Sequence, residues 1–217
     1  MSCLHVDSIM KSFGSRMILS DVFISCDKGE IVGLVGRNGS GKSTLLKIIF
    51  GSLRAESRFV RVNDKIINGL ADVKGIISYL PQQNFLPHNL SVKKSLSLMC
   101  DKNGYLFATN HKLIHPLLNK TPHQLSSGER RIVEIFAIIF SSARYVLIDE
   151  PFNGVAPILK EEIKAIIKEQ SANKGFIITD HDYRNIFDIS TRLVLLHDGS
   201  TTAIKNREDL ARFYLPE

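Results

Sequence analysis

The chain is 217 residues long, enough for one good-sized domain or a domain with a small appendage. Its 44% hydrophobic and 23% charged residues are ordinary for a soluble globular protein and argue against wholesale disorder. The net charge of +6 suits a nucleic-acid binder, a protein docking on a membrane partner or the binder of an anionic ligand, so charge does not choose between them.

The densest apolar run, Ile132–Phe140, is far short of the roughly 20 residues that a membrane span needs, and it contains Glu134. The N-terminus lacks the basic start and apolar core of a secretory signal. Cys3, Cys26 and Cys100 have neither CxxC nor CxxH spacing, so the expectation is no disulfide framework, no metal cluster and a reducing cytosol.

In chain order, β-like stretches are predicted at Leu4–Met10 and Val22–Cys26, followed by the buried strand Ile31–Val35. A glycine-rich turn then leads into a helix over Ser43–Phe50, so the order is strand, loop, helix. Further strands are expected at Phe59–Val62, Ile76–Leu80, Tyr145–Ile148, Gly175–Thr179 and Arg192–His197. Between Leu80 and Tyr145 the character is helical, with predicted helices at Ser91–Met99, Leu113–Leu118 and Gly128–Phe140. The pattern is an α/β core carrying a short helical insertion at about residues 83–142, with a last helix at Arg207–Phe213.

Gly36-Arg37-Asn38-Gly39-Ser40-Gly41-Lys42-Ser43-Thr44 fits the phosphate-loop pattern and stands between a strand and a helix, the context that pattern requires. Glycines let the backbone curl so that its N–H groups face phosphate oxygens, and the helix start adds a positive dipole end. Gly36, Asn38, Gly39, Ser40, Gly41, Lys42, Ser43 and Thr44 are therefore the expected triphosphate cradle. Lys42 is expected to reach the β- and γ-phosphates and the Ser43 hydroxyl to bind Mg²⁺. Downstream, Tyr145–Ile148 ends in Asp149 and Glu150. Asp149 is expected to hold Mg²⁺ and Glu150 to polarise an attacking water. A nucleoside triphosphate and Mg²⁺ follow as ligands.

Four further segments narrow the class. Leu125-Ser126-Ser127-Gly128-Glu129 resembles the signature of ATP-binding cassette (ABC) proteins, with Ser127 where glycine is usual. Tyr79-Leu80-Pro81-Gln82 resembles their Q-loop, and Thr179-Asp180-His181-Asp182 their switch-histidine segment. Phe13 sits where the family places an aromatic under adenine. Taken singly each has a plainer reading: Ser126 or Ser127 as an N-cap, His181 as a structural histidine, Gln82 as a loop amide, Phe13 as packing. Their ordered occurrence from Phe13 to about Gly199 is what carries the resemblance.

The resemblance implies a single ABC nucleotide-binding domain: a P-loop core with a small antiparallel β subdomain and the helical insertion. It implies ATP hydrolysis in a head-to-tail dimer. Ser126 and Gly128 would contact the γ-phosphate held by the second cassette, His181 would sense it, and Gln82 would join the metal or water to the insertion. It further implies an integral membrane transporter subunit as partner, a location on the cytoplasmic inner face of the cell membrane, and no nucleic-acid ligand. Asp149–Pro157 looks most like cassettes of lipopolysaccharide export and branched-chain amino-acid uptake. Ala156 replaces the family's aspartate there, so coupling between the two sites is expected to differ. A non-transport ABC ATPase of iron–sulfur assembly, translation or DNA maintenance, and a weakly hydrolysing regulatory module, are the alternatives.

Overall fold

A computed structural model describes residues 3–204, and the predicted helix at Arg207–Phe213 lies outside them. β1 (Cys3–Phe13) and β2 (Arg16–Asp27) form a long antiparallel hairpin, longer at both strands than the alternation in the sequence suggests. A bulge hides the pattern. At Ser8 the backbone swings to φ 53, with its N–H donated to the Asp7 carboxylate at 2.7 Å, and the pairing with β2 slips between Val6 and Ile9. The inward set changes parity there, so Leu4, Val6 and Ile9 are all fully buried.

β3 (Ile31–Val35) is buried throughout and feeds α1 (Lys42–Phe50). β4 (Ser57–Val62) pairs with β1 and the short β5 (Lys65–Ile66) with β4, giving an antiparallel sheet in the order β2-β1-β4-β5. β6 (Ile77–Leu80) precedes the helical stretch: α2 (Val92–Met99), α3 (Lys102–Asn110) and α4 (Ser127–Ile139). Then come β7 (Tyr145–Asp149), α5 (Pro157–Ser171), β8 (Gly175–Thr179), α6 (Tyr183–Phe187), β9 (Arg192–His197) and β10 (Ser200–Ile204). The second sheet runs β10-β9-β3-β8-β7-β6. Its neighbours are parallel except the β9–β10 hairpin.

The helical stretch differs from expectation in two places. Leu113–Leu118 is no α-helix; only a 3₁₀ turn forms at His115–Leu117, because Pro116 has no N–H to continue an α ladder. α3 was not anticipated. Its sequence, KNGYLFATN, carries a glycine, and Gly104 is there for close approach, since a Cβ would lie 2.4 Å from the Phe140 carbonyl oxygen.

The parallel strands alternate between two cores. Val32, Leu34, Leu147 and Ile177 face α1 and the antiparallel sheet, whereas Ile31, Val35, Val146, Ile148, Phe176 and Ile178 face the layer of α4 and α5. Burial on both faces fixes the strand ends rigidly. The loops leaving the C-terminal ends of β3, β6, β7 and β8 therefore meet at one edge, where open α/β sheets bind ligands.

Candidate functional site

The loop from β3 to α1 curls through left-handed glycines, with Gly39 at φ 79 and Gly41 at φ 104. Gly41 is the N-cap of α1 and offers no side-chain acceptor, so the first-turn N–H groups face outward as an anion cradle. Lys42, the first residue of α1, is buried and donates its ammonium protons to the carbonyls of Gly36 at 2.7 Å and Arg37 at 3.1 Å. Burial lowers its pKa, against the opposing pull of Glu150, Asp149 and Asp180.

At the end of β7 the Asp149 carboxylate is fully enclosed and accepts three hydroxyl protons. They come from Ser43 at 3.1 Å, Thr179 at 2.8 Å and the Tyr79 phenol at 3.2 Å. Burial, and then the Asp149 charge, push the Tyr79 phenol well above its ordinary range, so it stays a donor. Ser43 and Asp149, far apart in sequence, are thus within bonding reach, as a shared metal site requires. Oxygen donors of this kind suit Mg²⁺. Among the described residues no group of three or more His, Cys, Asp or Glu is placed to hold a metal ion by itself, so phosphate and water oxygens would complete the shell.

Glu150 follows directly, in the left-handed region at φ 50. Its N–H donates to the Thr179 carbonyl at 3.0 Å, and its carboxylate accepts the Gln82 amide at 2.8 Å. His181 is half-exposed, with Nδ1 3.6 Å from a carboxylate oxygen of fully buried Asp180. A cavity of about 600 Å³ collects Phe13, Asn38, Gly39, Gly41, Lys42, Ser43 and Thr44 with Gln82, Glu150 and His181, and adds Ile18 and Asn153, which the sequence did not single out. Phe13 is 51% exposed at its rim, with the Lys11 ammonium 5.1 Å from the ring centroid.

Ser40 lines a smaller neighbouring cavity, and Gly36 closes against β9, where a Cβ would lie 2.5 Å from the Leu196 carbonyl oxygen. Ser126 and Gly128 stand apart. Neither lines the cavity around Lys42. Ser126 caps α4 through a reciprocal capping box, its hydroxyl accepting from the Glu129 N–H at 3.2 Å and its own N–H donating to the Glu129 carboxylate at 2.7 Å. The Ser126 amide holds the Glu129 carboxyl below its ordinary range. Ser127, the residue that departs from the glycine pattern, is the first residue of α4 and needs no left-handed backbone, so a side chain is tolerated there.

One site-building residue escaped notice. Arg131, on α4, is buried and donates to the carbonyls of Asp149 at 2.7 Å, Glu150 at 3.0 Å and Pro81 at 2.7 Å. The signal in the sequence is Glu134, a carboxylate inside the apolar run Ile132–Phe140, with Arg131 three residues before it.

A parallel sheet fed by a phosphate loop, with a buried aspartate and a half-buried glutamate at the end of β7, one strand removed from β3, defines a P-loop nucleotide-hydrolysing protein. Residues 19–153 match the ABC transporter family, and the chain belongs to that family. It is 31% identical to the lipopolysaccharide export system ATP-binding protein LptB of Haemophilus influenzae, over all of this chain and 98% of that one. It is 30% identical to LptB of Acidithiobacillus ferridurans, over 95% of this chain and 91% of the relative. Among solved structures, an ATP-binding subunit of an ABC transporter superposes with TM-score 0.83 at 25% identity, covering 96% and 92% of the two chains. Another ATP-binding cassette, 23% identical, superposes over both full lengths with TM-score 0.82 and shows the shared fold. The chain is the ATPase subunit of an ABC transporter: it binds ATP and hydrolyses it to drive transport through a membrane component.

Proposed function

We propose that the whole chain acts as one cassette, with residues 83–142 as its helical subdomain, and that Glu150 polarises the water that attacks the γ-phosphate. The observation that carries this is the Glu150 carboxylate in the cavity that Lys42 also lines, held by the Gln82 amide at 2.8 Å. Phe13 stacks the adenine, the 36–44 loop cradles the triphosphate, and Lys42 draws charge from the β- and γ-oxygens. Ser43 and Asp149 hold Mg²⁺, which neutralises developing phosphate charge, and Gln82 lies beside that site. His181 hydrogen-bonds the γ-phosphate.

Two chains, or this chain and a related cassette, pair head to tail so that Ser126 and Gly128 of each complete the site of the other. The support is that both lie away from the cavity of their own chain. The membrane partner grips the helical insertion, where a cavity of about 620 Å³ opens beside the exposed apolar residues Leu106 and Phe107. Among the described residues no helix is long and apolar enough to cross a membrane, in keeping with peripheral attachment at the cytoplasmic face. The full-length likeness to LptB proteins supports a partner of that export class.

The roles are tested with Mg-ATP. Glu150→Gln is expected to cut kcat by about 10²- to 10⁴-fold while ATP still binds, and Lys42→Ala to abolish binding itself. Full turnover by Glu150→Gln would refute the base, and parental ATP affinity in Lys42→Ala would refute the cradle.

A further inference from the structure

We propose that Arg131 and Glu134 are positioning residues for hydrolysis: from one face of α4 they set the Q-loop backbone and Glu150 in register with each other. This rests on the assignment of Glu150 as the base and goes beyond it, because neither residue lines the nucleotide cavity.

Both side chains are shut off from water, Arg131 at 6% exposure and Glu134 at 0%, on a helix whose neighbours Ile132, Val133, Ile135 and Phe136 are apolar. A buried ion pair is a poor device for stability alone, since desolvation offsets its attraction and an apolar pair of similar volume packs as well. Here the groups are used for their geometry. One guanidinium nitrogen donates to the carbonyls of both Asp149 and Glu150, and the other to Pro81 at 2.7 Å and to Glu134 at 3.5 Å. Glu134 in turn accepts the Phe85 N–H at 3.0 Å. The backbone is thus pinned one residue before Gln82 and three residues after it.

Glu150 is gripped the same way, its N–H by Thr179 and its carbonyl by Arg131, and it sits at φ 50. A non-glycine residue keeps a left-handed backbone only where its surroundings over-determine it. The Gln82–Glu150 contact at 2.8 Å therefore joins two segments that Arg131 holds directly, with Glu134 adding a second hold on the Q-loop side. α4 begins at the Ser126 cap, so the helix that places the signature end also places the base. A shift of α4, or of the insertion past Phe85, reaches Glu150 through these bonds.

The test uses the full chain with Mg-ATP. Arg131→Lys keeps the charge but loses the fork that spans three carbonyls. It is expected to lower kcat on the order of 10- to 100-fold with the KM for ATP unchanged. Combined with Glu150→Gln it should lower the residual rate no further, because both act through one carboxylate. Hydrogen exchange on the ATP-loaded chain should quicken at residues 82–86 and 150–152 and stay unchanged on α1. Glu134→Gln, which keeps an acceptor for Phe85 but loses the charge facing Arg131, should show the same non-additive pattern more weakly and serves if Arg131→Lys does not fold. A parental kcat with parental exchange would overturn the proposal. So would a loss that adds in full to that of Glu150→Gln, since that marks a structural role only. Undiminished turnover in Glu150→Gln alone would instead overturn the assignment of the base.

Discussion

Asp149 is a buried carboxylate whose oxygens accept from three hydroxyl donors. Its acceptor positions are met by Ser43, Thr179 and Tyr79, and among these Thr179 makes the shortest bond, 2.8 Å. The same hydroxyl lies 3.3 Å from the Glu150 N–H, so one fully buried threonine serves both acidic residues. Thr179→Val preserves shape and removes that oxygen. The carboxylate then loses its best donor in a place water does not reach, at a cost of about 1–3 kcal/mol. For a chain of this size that corresponds to a fall in Tm of roughly 2–4 °C per kcal/mol. Thermal melting without nucleotide measures it, and an unchanged Tm would mean that Ser43 and Tyr79 suffice.

At the scale of elements, helix starts decide how the catalytic loops are held, and they are treated unequally. α4 has the Ser126–Glu129 capping box, whereas the N-cap of α5 is Ala156, with an extended backbone at φ −61 and no side-chain cap. Ala156 stands where the family pattern has aspartate, and in this fold that position is an N-cap. Ala156→Asp is accordingly expected to stabilise the protein by about 0.5–2 kcal/mol through the N–H groups of the first turn, raising the Tm. A Tm that does not rise would show that Pro157 and packing already fix the start of α5.

Much of this layer was legible in the chain itself. Short apolar runs such as Tyr145–Ile148 and Phe176–Thr179 announce parallel strands because both faces are buried, and glycine spacing announces the phosphate loop. Most of the expected cradle lines one cavity with Gln82, Glu150 and His181, while Asp149 lies buried behind it, bonded to Ser43. What stayed hidden depends on contacts distant in sequence. The bulge at Ser8 broke the alternation of β1, α3 is held by packing Gly104 against the end of α4, and Arg131 reads as a surface charge until its three carbonyl partners are known. Glu134 was the visible clue, a carboxylate inside an apolar run, but besides Arg131 it bonds the backbone of a distant loop, at Phe85.

At the scale of the whole molecule, one chain carries both the cavity and the signature segment proposed to serve it, and does not bring the two together. Phe13, Lys42, Gln82, Glu150 and His181 share a cavity, while the exposed α4 start with Ser126 and Gly128 lies outside it. If the second cassette supplies that face, two defects in different chains must complement each other. Glu150→Gln leaves the signature segment intact but removes the base, and Gly128→Asp leaves the base but sets a negative side chain against the phosphate face. Each chain alone is expected to be nearly inactive. In a mixed dimer, one site pairs the intact Glu150 of one chain with the intact Gly128 of the other, so mixing restores ATP hydrolysis. The other site carries both defects and stays silent, so recovery is partial and rises with the fraction of mixed dimers. Phosphate release measured across mixing ratios gives that curve, with a maximum near equal amounts. A flat line at the level of the separate variants would mean that each chain completes its own site, and the head-to-tail arrangement would fall with it.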